Sequence, residues 1–488
     1  MLFNTIDFVV FFVIVLTVIT IIRNRNFYLI FIVIASYFFF YYSNNFLISL
    51  LIFSTILDFY VGKEIFNSAS KIRKRNLLII SIVGNLGLLG FFKYTNFAIS
   101  EFNHLFDIFG IERIEMMEII LPIGISFYTF QTLSYSIDIY RNQLTPCKSL
   151  KEFAVFVAFF PQLVAGPILR ASHFIPQVRE KFSNKNNLML KERIINNSNL
   201  KIGITLMSIG FFKKMFFADN IAPMVDQIFS NPIGYDSFGI ILATIGFGIQ
   251  LYCDFSGYSD IAIGAALILG FKIPKNFNFP FFAKSPAEFW RKWHISLSTW
   301  VRDYLFLPLV FKNRKSSIRV FTSVIITMFL IGLWHGAGIN FIIFGLMHGI
   351  FVGIEGLLRS KFKIFQRQIS KNRAIKIFSI IGTQYLVFLS FLAFRIHDLN
   401  ELSISIQKFV FIEINTSEIF NTLSENKLPV LLMVLFIIIH YISYKKQNLL
   451  EKIAELDLKY WSLVLIIILT SIIFFYDANP RDFIYFRF

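Results

Sequence analysis

Apolar runs of about 15 to 22 residues, parted by short polar or glycine-bearing stretches, set the rhythm of this chain from end to end. A helix needs about 20 residues to cross a ~30 Å hydrocarbon layer, and the runs lack the ten-residue alternation of a membrane barrel. About twelve such runs stand out. Predicted crossing helices cover Ile6–Ile22, Phe27–Tyr42, Phe46–Val61, Leu77–Phe92, Ile119–Tyr140, Ile202–Phe217, Phe238–Tyr252, Val320–Trp334, Asn340–Leu357, Ile377–Phe394, Leu428–Tyr444 and Trp461–Tyr476.

Two regions break the rhythm. Phe153–Leu169 is interrupted by Pro161, Gly166 and Pro167 and has basic residues on both sides, and Gly257–Val310 carries basic residues at its ends and in its middle. A full crossing would carry some of those cations outward, against the positive-inside rule. Both regions are therefore predicted as re-entrant or interfacial segments, which survive only where protein buries the broken backbone.

Loop charge orients the rest. Lys63 to Arg75 and the stretch from Leu358 to Lys376, with seven basic residues and no acid, are predicted inside; the acidic loops at 101–118, 219–236 and 398–425 are predicted outside. The first run has no basic segment before it and no small-residue cleavage site, and Arg23 and Arg25 follow it, so it is expected to be retained with the N-terminus outside.

Composition narrows the class. With 56% hydrophobic and 16% charged residues, the chain has too little polar surface for a water-soluble globule of 488 residues. The net charge of +17 is spread over short loops, the pattern of cytoplasmic loops and not of nucleic-acid binding. Two cysteines, Cys147 and Cys253, are too few for a disulfide framework. The expected fold is an all-α polytopic membrane protein, a single domain over 1–488 with N-terminal helices 1–118, a motif-bearing core 119–357 and C-terminal helices 358–488.

Chemistry concentrates between Tyr252 and His348, which hold four of five tryptophans and three of seven histidines. His335 ends a hydrophobic run of about 15 residues, a rise of ~22 Å, and glycines 332, 336 and 338 surround it. A lone membrane histidine often serves only to hydrogen-bond a neighbouring helix; here Trp334 and a second cluster, EFWRKWHISLSTWVRDYLFLP, keep it company. At helical spacing Trp290, Trp293 and His294 share a face, with Leu297 and Trp300 one turn on, predicting an amphipathic interfacial helix with His294 on its aromatic side. Asp254 and Asp260 flank Gly257 in CDFSGYSD, which is expected to be a capped break between two helices or a source of carboxylates that orient an imidazole. Metal binding is not expected, since neither HExxH nor a cysteine pair is present, and the absence of GxSxG and of a P-loop argues against a soluble-type esterase or NTPase. Gln131 and Asp138 place one face of Ile119–Tyr140 toward the protein.

LPIGISFYTFQTLSYSIDIYR, FFPQLVAGPILR, LYCDFSGYSDIAIG, NFPFFAKSPAEFWRKWHISLSTWVRDYLFLPL, GLWHGAGINFIIFGLMHG and the terminal FIYFRF occur in this order from Leu121 to the end. In them the chain resembles the membrane-bound O-acyltransferases, and within them the bacterial polysaccharide O-acetyltransferase branch. LPLVFKNRK departs from the Gly-Gly-Asn-Arg turn frequent among relatives.

The resemblance implies a ring of about eleven membrane helices around re-entrant or horizontal helices and a thinned core in the cytoplasmic (inner) membrane. It implies acyl transfer from a cytoplasmic thioester such as acetyl-CoA, with no metal, to an extracytoplasmic polysaccharide, peptidoglycan or alginate-like. His335 stands at the family's catalytic histidine and His294 at its second motif histidine. Trp290, Arg291, Trp293, Ser296, Trp334 and Asp254 are expected along the passage of substrate and donor, Arg291 attracting the donor's anionic part. No extramembrane run is long enough for a second folded domain, so a separate periplasmic SGNH-type O-acetyltransferase is expected as partner besides membrane lipid, with no nucleic acid. The rivals are a D-alanyl transferase for teichoic acids, a non-enzymatic transporter and a wall-assembly scaffold.

Overall fold

The computed structural model describes residues 1–22, 24–181, 197–311, 316–361, 372–476 and 481–484. Arg23, most of the predicted cytoplasmic stretch from Leu358 to Lys376, the end of LPLVFKNRK and residues 485–488 of the terminal motif lie outside them. Helix is the only regular structure among the described residues, as expected of an all-α chain. Seven helical stretches are long and apolar enough to cross a membrane, and Ile6–Ile21 and Leu458–Phe474 are shorter apolar helices. The stretch Arg25–Asn67 is two 20-residue helices, Arg25–Asn44 and Ile48–Asn67, parted at Asn45, whose positive φ of 48° turns the chain where the Ser-Asn-Asn sequence predicts. Many Ile, Leu, Val and Phe side chains on these helices are exposed, as befits surfaces that face lipid.

The chain divides into two compact units, residues 1–207 with 258–274 and residues 208–257 with 275–488. In the first, three helices meet at a fully buried carboxylate: Asp58 accepts hydrogen bonds from Ser81, from Asn85 Nδ2 at 2.7 Å and from Ser136 Oγ at 2.6 Å. No cation pairs with it among these contacts, and three donors take over the work of hydration. The broken segment 152–169 is buried throughout. It holds a nine-residue helix, Leu150–Ala158, whose ~13 Å rise is too short to cross a membrane. Side chains partner its backbone at Phe156 O, where Gln131 Nε2 donates at 2.5 Å, and at Phe160 N, which donates to Ser36 Oγ at 3.2 Å, while Gln162 Nε2 donates to Gln131 Oε1 at 2.9 Å. Gln131 therefore faces the protein, as its place on an apolar helix predicts.

Several boundaries differ from the predicted ones. The run predicted at Leu77–Phe92 is a 39-residue helix, Lys71–Phe109, with a rise of about 58 Å, so Glu101 and Asp107 are helical and not in a loop. The chain then returns along it without regular structure. Three asparagines hold that return by pairing with both the N–H and the C=O of one residue each: Asn103 with Ile114, Asn96 with Met117 and Asn44 with Ile123. A carboxamide carries the same donor and acceptor as a peptide unit, so each replaces one missing backbone partner. The acidic loop at 398–425 contains two helices, Leu399–Val410 and Thr416–Glu425.

Asn197–Phe211 runs on through a π-helical turn, Phe212–Ala218, into Asp219–Phe229, so Asp219 and Asp226 are also helical. A π turn leaves carbonyls without their usual i+4 donors. Asn220 Nδ2 supplies one to Met215 O at 2.9 Å and to Phe216 O at 3.1 Å. CDFSGYSD is not a capped break: the helix Ser237–Ile268 runs straight through it. Its aspartate at 254 is engaged by groups from elsewhere in the chain instead of by its own freed amides. Gly257 gives close approach, since a Cβ there would stand 2.7 Å from Gly210 O.

Candidate active site

FWRKWHISLSTW is not one amphipathic helix. Ser285 caps a seven-residue helix, Pro286–Lys292, by accepting from Glu288 N at 3.2 Å; the chain then breaks, and a second helix runs from Ile295 to Val301. The break is His294, whose φ of 43° lies in the left-handed region that costs a non-glycine residue strain. Asn276 secures the second helix's start, its carbonyl accepting from Ile295 N at 2.9 Å and its Oδ1 from Ser296 Oγ at 2.6 Å. The contacts of Asn276 hold the strained backbone at His294 in place.

His294 is aimed inward and fully buried. Phe255 stands 4.7 Å from it, ring centre to ring centre, and Trp334 5.8 Å. Burial pushes its imidazole down from the ordinary value to about 3, so it is neutral across the physiological range.

His335 closes the helix Ser317–His335. At 19 residues that helix rises about 28 Å, longer than the run of about 15 that the sequence shows and close to the span of a bilayer core. The next helix, Ile339–Lys361, turns back against it at a separation only glycine allows. A Cβ on Gly332 would stand 2.3 Å from Phe341 O and 3.0 Å from Gly345 Cα. Asn340 anchors the turn, donating to Ala393 O at 3.0 Å. His335 is buried among Trp334 at 5.0 Å, Phe394 at 5.2 Å and Phe344 at 5.7 Å. Trp334 thus packs against both imidazoles. This indole bridge joins two motifs some forty residues apart in sequence.

The other predicted residues divide. Trp293 stacks on Phe289 at 5.4 Å and packs against Tyr252. Trp290 donates its indole N–H to His348 Nδ1 at 3.2 Å, so it and Trp293 do not present a common face with His294. Arg291 is exposed at the end of its short helix, and the neighbouring Lys292 pairs with Glu288 at 2.9 Å. Asp254 does not orient an imidazole: its Oδ1 is 2.6 Å from Lys214 Nζ, and its Oδ2 accepts from Ile484 N at 2.8 Å. Lys214 also reaches Asp219 at 2.9 Å and Asp482 O at 3.2 Å, and lies over the Phe483 ring. Lys214, Asn276 and Ser390 are the residues that sequence reasoning missed. For Lys214 the signal was present, a Lys-Lys pair inside the apolar run GFFKKMFF; Asn276 and Ser390 carry no comparable mark. Among the described residues no group of three or more His, Cys, Asp or Glu side chains is gathered as metal ligands would be.

The chain spans about six-tenths of the length of the alginate and peptidoglycan relatives it matches. It is 42% identical over 310 residues to the probable alginate O-acetylase AlgI of Azotobacter vinelandii, covering 62% of this chain and 58% of that one. It is 37% identical over 330 residues to the peptidoglycan O-acetyltransferase of Helicobacter pylori, with 63% and 60% covered. The teichoic acid D-alanyltransferase of Bacillus subtilis is more distant, 30% identical over 284 residues, with 56% and 68% covered. The sequence model of the membrane-bound O-acyltransferase family matches residues 54–392, which include His294, Trp334 and His335, and this multi-pass membrane chain belongs to that family.

Proposed function

We propose that the protein is an O-acetyltransferase of the cytoplasmic membrane, its N-terminus outside, that takes an acetyl group from cytoplasmic acetyl-CoA and passes it outward for O-acetylation of a polysaccharide. The observation that carries the reading is the pair of buried imidazoles joined by Trp334. A hydroxyl is a weak nucleophile at neutral pH and needs a base within hydrogen-bond reach as it attacks. His335 takes the acceptor's proton; the oxygen bonds to the thioester carbonyl carbon, the C–S bond breaks, and the thiolate leaves and is protonated. His294, neutral and on the aromatic side, accepts or donates one hydrogen bond to the reacting groups.

Trp290, Trp293, Ser296, Trp334 and Asp254 border the passage, and the exposed Arg291 draws the anionic donor. The polymer is peptidoglycan or an alginate-like polysaccharide, a choice supported by the names of the more similar relatives. A periplasmic SGNH-type transferase completes delivery.

Purified protein in liposomes, given acetyl-labelled acetyl-CoA inside and an acceptor outside, tests the reaction. Thioester consumption with label on the outer acceptor is expected. Movement of a substrate without consumption would favour a transporter, and loss of wall D-alanine instead of acetyl in a deletion strain would favour D-alanyl transfer, for which the Bacillus subtilis relative speaks.

A further inference from the structure

His348 lies one helix away from His335, on Ile339–Lys361, and is wholly buried. It touches two side chains by hydrogen bonding. Trp290 Nε1 lies 3.2 Å from its Nδ1, and Ser390 Oγ, on the helix Arg373–Arg395, lies 2.9 Å from its Nε2. A serine within hydrogen-bond distance of a buried imidazole has the outline of a nucleophile with its base, which would make the reaction run through an acetyl-serine.

The hydrogen-bond inventory decides against that. An indole N–H can only donate, so Nδ1 of His348 must be the acceptor and carries no proton. A neutral imidazole with a bare Nδ1 has its proton on Nε2, and Nε2–H therefore donates to Ser390 Oγ. Ser390 in turn spends its one proton on Val387 O at 2.6 Å. The chain of donors runs from Trp290 to His348, then from His348 to Ser390, then from Ser390 to a backbone carbonyl. Each link points away from the direction a base needs, because the imidazole nitrogen facing the serine already holds a proton.

From this geometry we infer that His348 is a positioning residue, a neutral imidazole that anchors the Trp290 indole beside the donor's path and is not a base for Ser390. It ties the short helix Pro286–Lys292 to the helices Ile339–Lys361 and Arg373–Arg395. The packing agrees: Trp290 meets the imidazole edge-on at 5.1 Å, and Phe289 stacks parallel to it at 6.2 Å. The inference rests on the acyl-transfer reading for its kinetic consequence and on hydrogen bonding alone for its structural one.

The two amides that resemble histidine separate the contacts. Asparagine places its Oδ1 where Nδ1 stands and can still accept from Trp290; glutamine places its amide nearer Nε2 and leaves the indole unpaired. His348→Gln and Trp290→Phe are each expected to raise the KM for acetyl-CoA about five- to tenfold with little change in kcat, and the double variant to be no worse than either. His348→Asn is expected to stay within about twofold of the unaltered protein. Peptide mass spectrometry after rapid quenching is expected to find no acetyl group on Ser390. Hydrogen exchange of the Trp290 indole N–H, read by NMR, is expected to be slow in the unaltered protein and in His348→Asn but fast in His348→Gln.

Equal damage from Asn and Gln, additive effects in the double variant, or an acetyl-Ser390 would overturn the inference. If the unaltered protein consumes no acetyl-CoA, the proposed reaction fails, and the exchange measurement still decides the role of His348.

Discussion

Lys214 Nζ sits 2.6 Å from Asp254 Oδ1, and both side chains are almost completely buried. The π-helical turn at Phe212–Ala218 carries this lysine, and the C-terminal stretch closes over it through Asp482 O, Phe483 and Ile484 N. Taking two charges out of water is costly, and their mutual attraction with the extra hydrogen bonds offsets the cost only while both are present. Lys214→Met is therefore expected to destabilise the fold by about 3–5 kcal/mol, and Asp254→Asn by less, because Asp219 still pairs with the lysine at 2.9 Å. Thermal unfolding in detergent checks this; a midpoint within a degree or two of the unaltered protein for either variant would mean the pair is not what holds the C-terminal stretch.

Removal of either imidazole beside Trp334 should separate chemistry from folding. His335→Ala is expected to lower kcat by at least about 10²-fold, the usual reach of general acid–base catalysis, with the unfolding midpoint nearly unchanged. His294→Ala should reduce activity and also release the strain of the left-handed backbone only in part, since alanine shares that penalty; His294→Gly relieves it. Acetylation assays on inserted protein decide, and wild-type turnover by His335→Ala would end the assignment.

Gly332 has no room for a methyl group, because the Cβ would press on the backbone at Phe341 O. Gly332→Ala is expected to cost about 2–3 kcal/mol through overpacking and to displace His335 along with its helix. Activity should fall further than stability alone accounts for, as a 1 Å misplacement can cost about 10²-fold in rate. Stability and turnover measured on one preparation would expose any failure of that ratio.

Acid should weaken the fold through His294. Its folded value is depressed to about 3, against an ordinary 6.5 in the unfolded chain. Above about 6.5 both states are neutral and the group contributes nothing to pH dependence; below it the unfolded chain takes up a proton that the fold refuses. Stability is then lost at up to about 1.4 kcal/mol per pH unit as the pH falls from 6.5 toward 3. The difference between the unaltered protein and His294→Gln, followed by denaturation from pH 7.5 to 4.5, isolates this part, and parallel curves would contradict it.

The carboxamides that hold the chain's return after Phe109 can be tested by a change of one atom. Asn103→Asp keeps an acceptor for Ile114 N but loses the donor to Ile114 O, and is expected to cost about 1 kcal/mol. Faster hydrogen exchange at residues 111–118, with the rest of the chain unaffected, is the expected signature.

The hydrophobic pattern alone determined that the chain is helical, that it crosses the membrane many times and that Phe153–Leu169 is broken, because each follows from the length of an apolar run and from where Pro and Gly interrupt it. The Trp- and His-bearing clusters in an apolar chain brought His294 and His335 forward, and the resemblance in the motifs gave them their expected roles. Helix ends were less legible: Asp107, Asp219 and Glu401 are polar, which marks a run's apolar end, but a helix continues past that point wherever its backbone bonds and caps still close. Only the tertiary structure decided that CDFSGYSD stays helical with Asp254 committed to Lys214, that the helix predicted through His294 breaks there, and that Trp334 joins the two imidazoles. Those outcomes depend on which side chain stands opposite which, and partners hundreds of residues apart, such as Asp254 and Ile484, leave no periodicity in a sequence to be read.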